Sequence, residues 1–271
     1  MNSTIMGFGI AGNFAHHLEQ AGESADFVDV VVDEADAPKG IFPTFIPNSD
    51  TFLNVYPFSS KRIQSLEDAN IQMEPEVALL CDVTYEDGKV KTLTPTHFAA
   101  YNDCSIRVEG AKKISHKKNW GIDSKGISKT LLPIDSFKPG SIMDHYSLTS
   151  FIKRDGKLIQ YGENSELLGY SYFYDKLINW IISKLNTQQD TGPLEDLLSL
   201  IKTANYPKQL LISIGATRYT EFGETNYLKK DDLLYVIVYD HTKHSHEQIK
   251  QMIENDNFAK EDISVLQKTV Y

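Results

Sequence analysis

Cysteine is nearly absent from this chain: its 271 residues include two, Cys81 and Cys104. Two thiols in a chain of this size support no disulfide framework and fit a reducing compartment. Both fall inside the two strands expected over residues 72–107, where they read as small buried hydrophobes rather than metal ligands or nucleophiles. Basic residues are outnumbered, 27 Lys and Arg against 37 Asp and Glu, a formal net charge of −10. Phosphate binding needs a basic surface, so this balance argues against a nucleic-acid partner. Long apolar runs are missing too. The most apolar segment, residues 210–216 (LLISIGA), is far too short to span a bilayer, so no membrane partner is expected. The opening residues MNSTIMGFGIAGN have no basic stretch ahead of an apolar one, so no signal peptide is expected and the cytoplasm is the expected location. No repeat, low-complexity tract or composition shift divides the chain, so one domain over residues 1–271 is expected.

What is present fits an ordinary folded core: 41% hydrophobic and 24% charged residues. Residues 3–10 read as a short buried strand. Residues 12–23 have helical composition, with Asn13 as N-cap and Gly22 as the stop. Residues 27–32 (FVDVVV) read as a strand, and 33–61, with four prolines, as a long irregular stretch. Two hairpins are expected, one turning at Asp87-Gly88 and one at Asp155-Gly156. Helices are expected over 170–185, over 193–204 with Pro193 in the first turn, and after a Ser245 cap. Strands are expected at 208–219, at 231–239 and over the terminal ISVLQKTV. Strands with helices inserted among them, without regular alternation, predict an α+β fold.

The stretch 72–107 carries the chemistry. Glu74 and Glu76 are two residues apart and share one face of an extended strand. Asp103 closes the second strand of the same hairpin. Pro75 cannot donate to a ladder, so this point is an edge, a strand start or a bulge. Three carboxylates with open positions suit a hard cation, Mg²⁺ or Mn²⁺, and not zinc or copper. The same spacing also fits two exposed strand carboxylates and a turn aspartate. His17, with an ordinary pKa near 6.5, is the candidate general base; its neighbour His16 would point about 100° away on a helix. The lysine-rich segment 111–140 reads as a solvated loop that could also supply cations for an anionic substrate. Within it, Lys125 could hold a carboxylate or enolate oxygen.

Five segments stand in a telling order. They are Asn13-Phe14-Ala15-His16-His17-Leu18-Glu19-Gln20, Glu74-Pro75-Glu76-Val77-Ala78, Ala99-Ala100-Tyr101-Asn102-Asp103-Cys104-Ser105-Ile106-Arg107, Trp120 with Lys125, and Ile214-Gly215-Ala216-Thr217. This order resembles the fumarylacetoacetate hydrolase superfamily. There the segments read N-Y-x-x-H-x-x-E, E-x-E-L-A, G-Y-x-x-x-N-D-x-[ST]-x-R, W-x-x-x-K and T-G-T-P. The resemblance implies a mixed β-roll or sandwich with inserted helices, a homodimer, and Mg²⁺ or Mn²⁺ held by Glu74, Glu76 and Asp103. It implies catalysis by His17 and Lys125 with Gln20 in support, and substrate contacts from Arg107, Gly215 and Thr217. Relatives of this kind cleave or decarboxylate small keto acids and 1,3-dicarbonyls through a metal-stabilised enolate.

The chain departs from that pattern at several points. Gln20 stands where the family has an acid, and glutamine takes no proton. Ile46 replaces the lysine of the family's F-x-K-P loop, and Ile214 and Thr217 replace the first threonine and the proline of T-G-T-P. Val108 follows the arginine where the family has an acid. Two functions are therefore expected in competition: a metal-dependent hydrolase or lyase, and a non-catalytic binder of a metal or keto acid acting as sensor or scaffold.

Overall fold

Asp87 and Gly88 have φ of 51° and 75°, the left-handed pair that a two-residue hairpin turn requires. They join the strands Pro75–Glu86 and Lys89–Asn102, which pair antiparallel from Glu86↔Lys89 to Pro75↔Asn102. The register shifts between Leu80 and Cys81 and again between Thr84 and Tyr85. Near its open end the first strand is buried on both faces, from Pro75 to Leu79. Toward the turn it alternates, with Asp82, Thr84 and Glu86 exposed. This hairpin is the spine of a computed structural model that describes residues 5–28, 30, 32, 34–108, 110–258 and 261–271.

Around the hairpin lies an eight-stranded mixed sheet. Its order is Gly40–Phe45, Ile5–Ala11, Gln209–Ser213, Pro75–Glu86, Lys89–Asn102, Lys125–Ile127 and Phe58–Ser59, with Leu132–Pro133 also on Lys89–Asn102. Ile5–Ala11 runs parallel to Gln209–Ser213, and the latter runs antiparallel to Pro75–Glu86. A second sheet orders Lys157–Glu166, Tyr146–Arg154, Leu233–Asp240, Ile263–Val270 and Arg62–Ile63. Residues 71–72 and 105–106 form a short third pair.

The two large sheets share one core. Val77, Leu79 and Phe98 of the first pack with Leu148, Val236 and Leu266 of the second, and Leu177, Ile181 and Leu185 of the helix Tyr174–Thr187 join them. The outer face of the second sheet buries Phe151, Tyr235 and Ile237 against Ile249 and Ile253 of the helix His246–Glu254. The fold is α+β and strand-rich, as the sequence implies.

Several elements differ from expectation. Residues 12–23 form only one turn of helix, His17–Gln20, because His16 enters the left-handed region at φ 67°. Asn13 caps nothing there. It is fully buried, donating to the carbonyls of Tyr172 and Ile214 and accepting from Tyr172 N. Of the expected strand 27–32, Phe27 ends a short helical turn, Ser24–Phe27, while Asp29 and Val31 lie outside the described residues. The stretch 33–61 is not irregular throughout, since Gly40–Phe45 is a strand edging the large sheet. Pro193 precedes its helix, which spans Leu197–Thr203 with Asp196 as N-cap. Elsewhere the elements fall close to expectation, including a reciprocal capping box between Ser245 and Gln248. No helix among the described residues is long and apolar enough to cross a membrane.

Candidate metal centre

The open end of the hairpin brings Asp103 opposite Glu74. Asp103 N donates to Glu74 O at 3.0 Å, and Asn102 Oδ1 accepts from both Glu74 N and Cys104 N. These bonds fix the backbone where the strands part. Glu74, Glu76 and Asp103 are all buried, and each offers a carboxylate oxygen within 4.8 Å of the others. The group could hold a metal ion, and its all-oxygen donor set suits a hard divalent cation. Glu74 Oε1 and both Asp103 carboxylate oxygens accept no hydrogen bond of good geometry. Glu76 forms no ion pair among the described residues; its Oε2 accepts only from Gly215 N, at 3.0 Å. Burial and the neighbouring Asp103 push the Glu76 carboxyl well above the usual range. An uncompensated, desolvated carboxyl beside two others is the feature a bound cation would relieve.

Basic groups surround the other two carboxylates. Lys118 Nζ pairs with Glu74 Oε2 and lies 2.7 Å from Asp103 Oδ2. Arg107 Nη2 lies 2.8 Å from Glu74 Oε1, and Lys125 Nζ lies 3.1 Å from Asp103 Oδ1. Burial works against the charged Glu74 carboxyl, but Lys118 and Arg107 outweigh it and hold it well below the usual range.

Lys125 is fully buried, and burial lowers its pKa. Besides its ion pair with Asp103 Oδ1 it donates hydrogen bonds to the carbonyls of Asp103 (2.7 Å) and Cys104 (2.9 Å), so its ammonium is taken up by the chain itself. Behind it, buried Lys268 donates to Lys125 O at 2.6 Å, and burial lowers that ammonium to about 7. Both cysteines are free and buried; burial raises the Cys104 thiol to about 11, which leaves it unreactive.

His17 and Gln20 are tied to one segment on the far side of the chain. His17 is buried while His16 is exposed. Its Nδ1 sits 2.9 Å from Thr217 O. A carbonyl only accepts, so Nδ1 carries the proton and Nε2 of the neutral ring keeps its lone pair. Burial pushes the His17 pKa down to about 4, so it is a weaker base than its ordinary value suggests. Gln20 does not hydrogen-bond His17. Its amide grips the main chain of Tyr219, accepting from N at 2.9 Å and donating to O at 3.2 Å. Gly215, at φ 110°, sits where a side chain is strained and crowded, since a Cβ would lie 3.1 Å from Asn13 Cβ. Thr217 Oγ1 is buried without a hydrogen-bond partner.

Arg107 joins this centre to open space. It donates to Gln72 Oε1 at 2.6 Å and Tyr219 OH at 3.1 Å and pairs with Glu23. A cavity of about 530 Å³ is lined by Arg107, Lys117, Glu23, Asp26 and Asn70. Lys117 pairs with Glu23 at 2.7 Å and Asp26 at 2.6 Å. The solvated-loop expectation for this lysine run therefore fails at Lys117 and Lys118, each 3% exposed. Glu23, Lys117 and Lys118 went unrecognised as site residues because their burial is set by partners distant in sequence. The one signal available was that Lys117 and Lys118 adjoin the Trp120 and Lys125 segment.

A sequence profile described as "Family of unknown function (DUF5718)" matches residues 23–270. No curated protein matches the chain. Among solved structures, 2-keto-3-deoxy-D-arabinonate dehydratase complexed with magnesium and 2,5-dioxopentanoate is similar, with a TM-score of 0.54 at 16% identity over 98% of this chain and 72% of that one. A putative fumarylacetoacetate isomerase/hydrolase from Oleispira antarctica is similar with a TM-score of 0.51 at 10% identity, over 98% of this chain and 93% of that one. The chain thus has the fumarylacetoacetate hydrolase type of fold that its motif order implies.

Proposed function

Since the chain belongs to DUF5718, a family of unknown function, its chemistry has to be read from its own site. We propose that it is a divalent-metal-dependent hydrolase or lyase acting on a small keto acid or 1,3-dicarbonyl. The observation that carries this reading is the buried trio Glu74, Glu76 and Asp103, with donor oxygens within 4.8 Å of one another. The similar dehydratase structure, described with magnesium and a dicarbonyl acid, supports the same ligand class.

Glu74, Glu76 and Asp103 would hold Mg²⁺ or Mn²⁺. When bound, the ion supplies a Lewis acid that neutralises charge on adjacent substrate oxygens as an enolate develops. The neutral His17 ring, its Nδ1–H directed to Thr217 O, presents Nε2 as the proton acceptor. Gln20 holds the Thr217–Tyr219 backbone that orients His17 and so acts as a positioning residue. Lys125 fixes Asp103 and the turn after it. Arg107 and Lys117, facing the cavity, give a substrate carboxylate its cationic partners.

A second reading, a metal or keto-acid binder without turnover, is favoured by one observation: Gln20 stands where an acid would complete a proton relay. The two separate in one set of assays. Mn²⁺ at millimolar concentration is expected to raise the melting temperature of the wild type and leave Glu76→Ala unmoved. Turnover of oxaloacetate or an acylpyruvate, abolished by His17→Ala, supports the enzyme. A metal-dependent melting shift with no turnover of either class supports the binder.

A further inference from the structure

Each carboxylate oxygen of Glu74 and Asp103 already has a basic partner. On Glu74, Oε1 faces Arg107 and Oε2 faces Lys118; on Asp103, Oδ1 faces Lys125 and Oδ2 faces Lys118. A divalent ion binding through both residues would therefore lie close to several of these cations, and the like-charge repulsion falls hardest on the one least held elsewhere. Two of them are anchored elsewhere. Arg107 is also held by Gln72, Glu23 and Tyr219, and Lys125 by the carbonyls of Asp103 and Cys104. Lys118 is different. Among the described residues its ammonium touches only Glu74 and Asp103, with the Phe42 ring 5.3 Å away. It stands at the end of the short helix Ile114–Lys118, on a flexible four-carbon stem.

We propose that the Lys118 ammonium is a tethered cation that occupies the carboxylate site in the metal-free protein, and that Lys118 and a divalent ion occupy it in mutual exclusion. The inference rests on the reading of Glu74, Glu76 and Asp103 as metal ligands. Its physical basis is charge. The ammonium bridges two of the three carboxylates and leaves Glu76 without a cationic partner. A divalent ion bound by all three would lie within a few ångströms of the ammonium, where like charges in a buried site repel strongly. Lys118 thus lets the chain fold without metal, and it weakens metal affinity by the work of its own displacement.

The test is Mn²⁺ titration by calorimetry on the wild type, Lys118→Met and Lys112→Met. Lys112 is exposed, so the last variant removes the same charge away from the site. Lys118→Met is expected to bind Mn²⁺ at least tenfold more tightly than the wild type and to melt at lower temperature without metal, while Lys112→Met binds as the wild type does. Equal, measurable affinities for the wild type and Lys118→Met would overturn the inference and leave the metal reading standing. No binding by either folded protein would overturn both. If Lys118→Met does not fold without metal, recovery of its fold on refolding with Mn²⁺ supports the proposal, and failure to recover in millimolar Mn²⁺ overturns it.

Discussion

His17 shows how far a residue's chemistry can move between sequence and fold. Its ordinary pKa near 6.5 makes it a plausible base in any context, but burial takes it to about 4. The unfolded chain therefore takes up the proton first as pH falls. The His17 contribution to stability is complete above pH 6.5 and is lost as pH falls through 4, roughly 3 kcal/mol in all. The expected result is an imidazole titration by nuclear magnetic resonance with its midpoint near 4. Between pH 7 and 4, urea unfolding of the wild type should lose about 3 kcal/mol more than that of His17→Gln. A midpoint near 6.5 would contradict the burial. At this scale the sequence was most legible for Glu74, Glu76 and Asp103, whose spacing needs only a hairpin to meet. It was least legible for Lys117 and Lys118, since nothing local distinguishes a buried lysine from its solvated neighbours. Lys125 was identifiable as a cation near the site, but that its ammonium would be filled by two backbone carbonyls is a tertiary fact.

At the scale of elements, turn and cap chemistry carried most of the information. Asp-Gly pairs located both hairpins, and the Ser245 cap located the last helix, because each signal acts within four residues. Ser245→Ala is expected to cost about 1 kcal/mol in urea unfolding, with no change in metal binding, since that helix packs on the outer face of the second sheet. Where a residue is recruited by distant partners, local reading fails. Asn13 looks like a cap and is instead a buried bridge between Tyr172 and Ile214, and the helix expected after it shrinks to one turn. Gly215 belongs to the same junction. Gly215→Ala would force a side chain against Asn13 at a φ of 110° and disturb the N–H that reaches Glu76. The expected cost is about 1–3 kcal/mol, together with weaker Mn²⁺ binding. Wild-type Mn²⁺ affinity in that variant would separate the strained backbone from the centre.

At the scale of the whole molecule, the centre sits where two sheets, a hairpin end and the 213–219 segment converge. Its charged groups come from four separate stretches of chain: residues 17–23, 74–76, 103–107 and 117–125. The motif order made this convergence legible in outline. The register shifts inside the hairpin and the pairing of each oxygen with its cation were not, because they depend on packing across the sheets. Converging charges of both signs give the centre two ways to balance its carboxylates, with the protein's own lysine or with a divalent ion. The central claim is that Glu74, Glu76 and Asp103 together hold that ion. Its most direct test is a crystal structure grown with Mn²⁺ and oxalate, a mimic of an enolate. The expected result is an anomalous manganese peak about 2 Å from an oxygen of each of the three residues, with the Lys118 ammonium gone from between Glu74 and Asp103. Absence of that peak, with Lys118 still bridging the two carboxylates, would contradict the account.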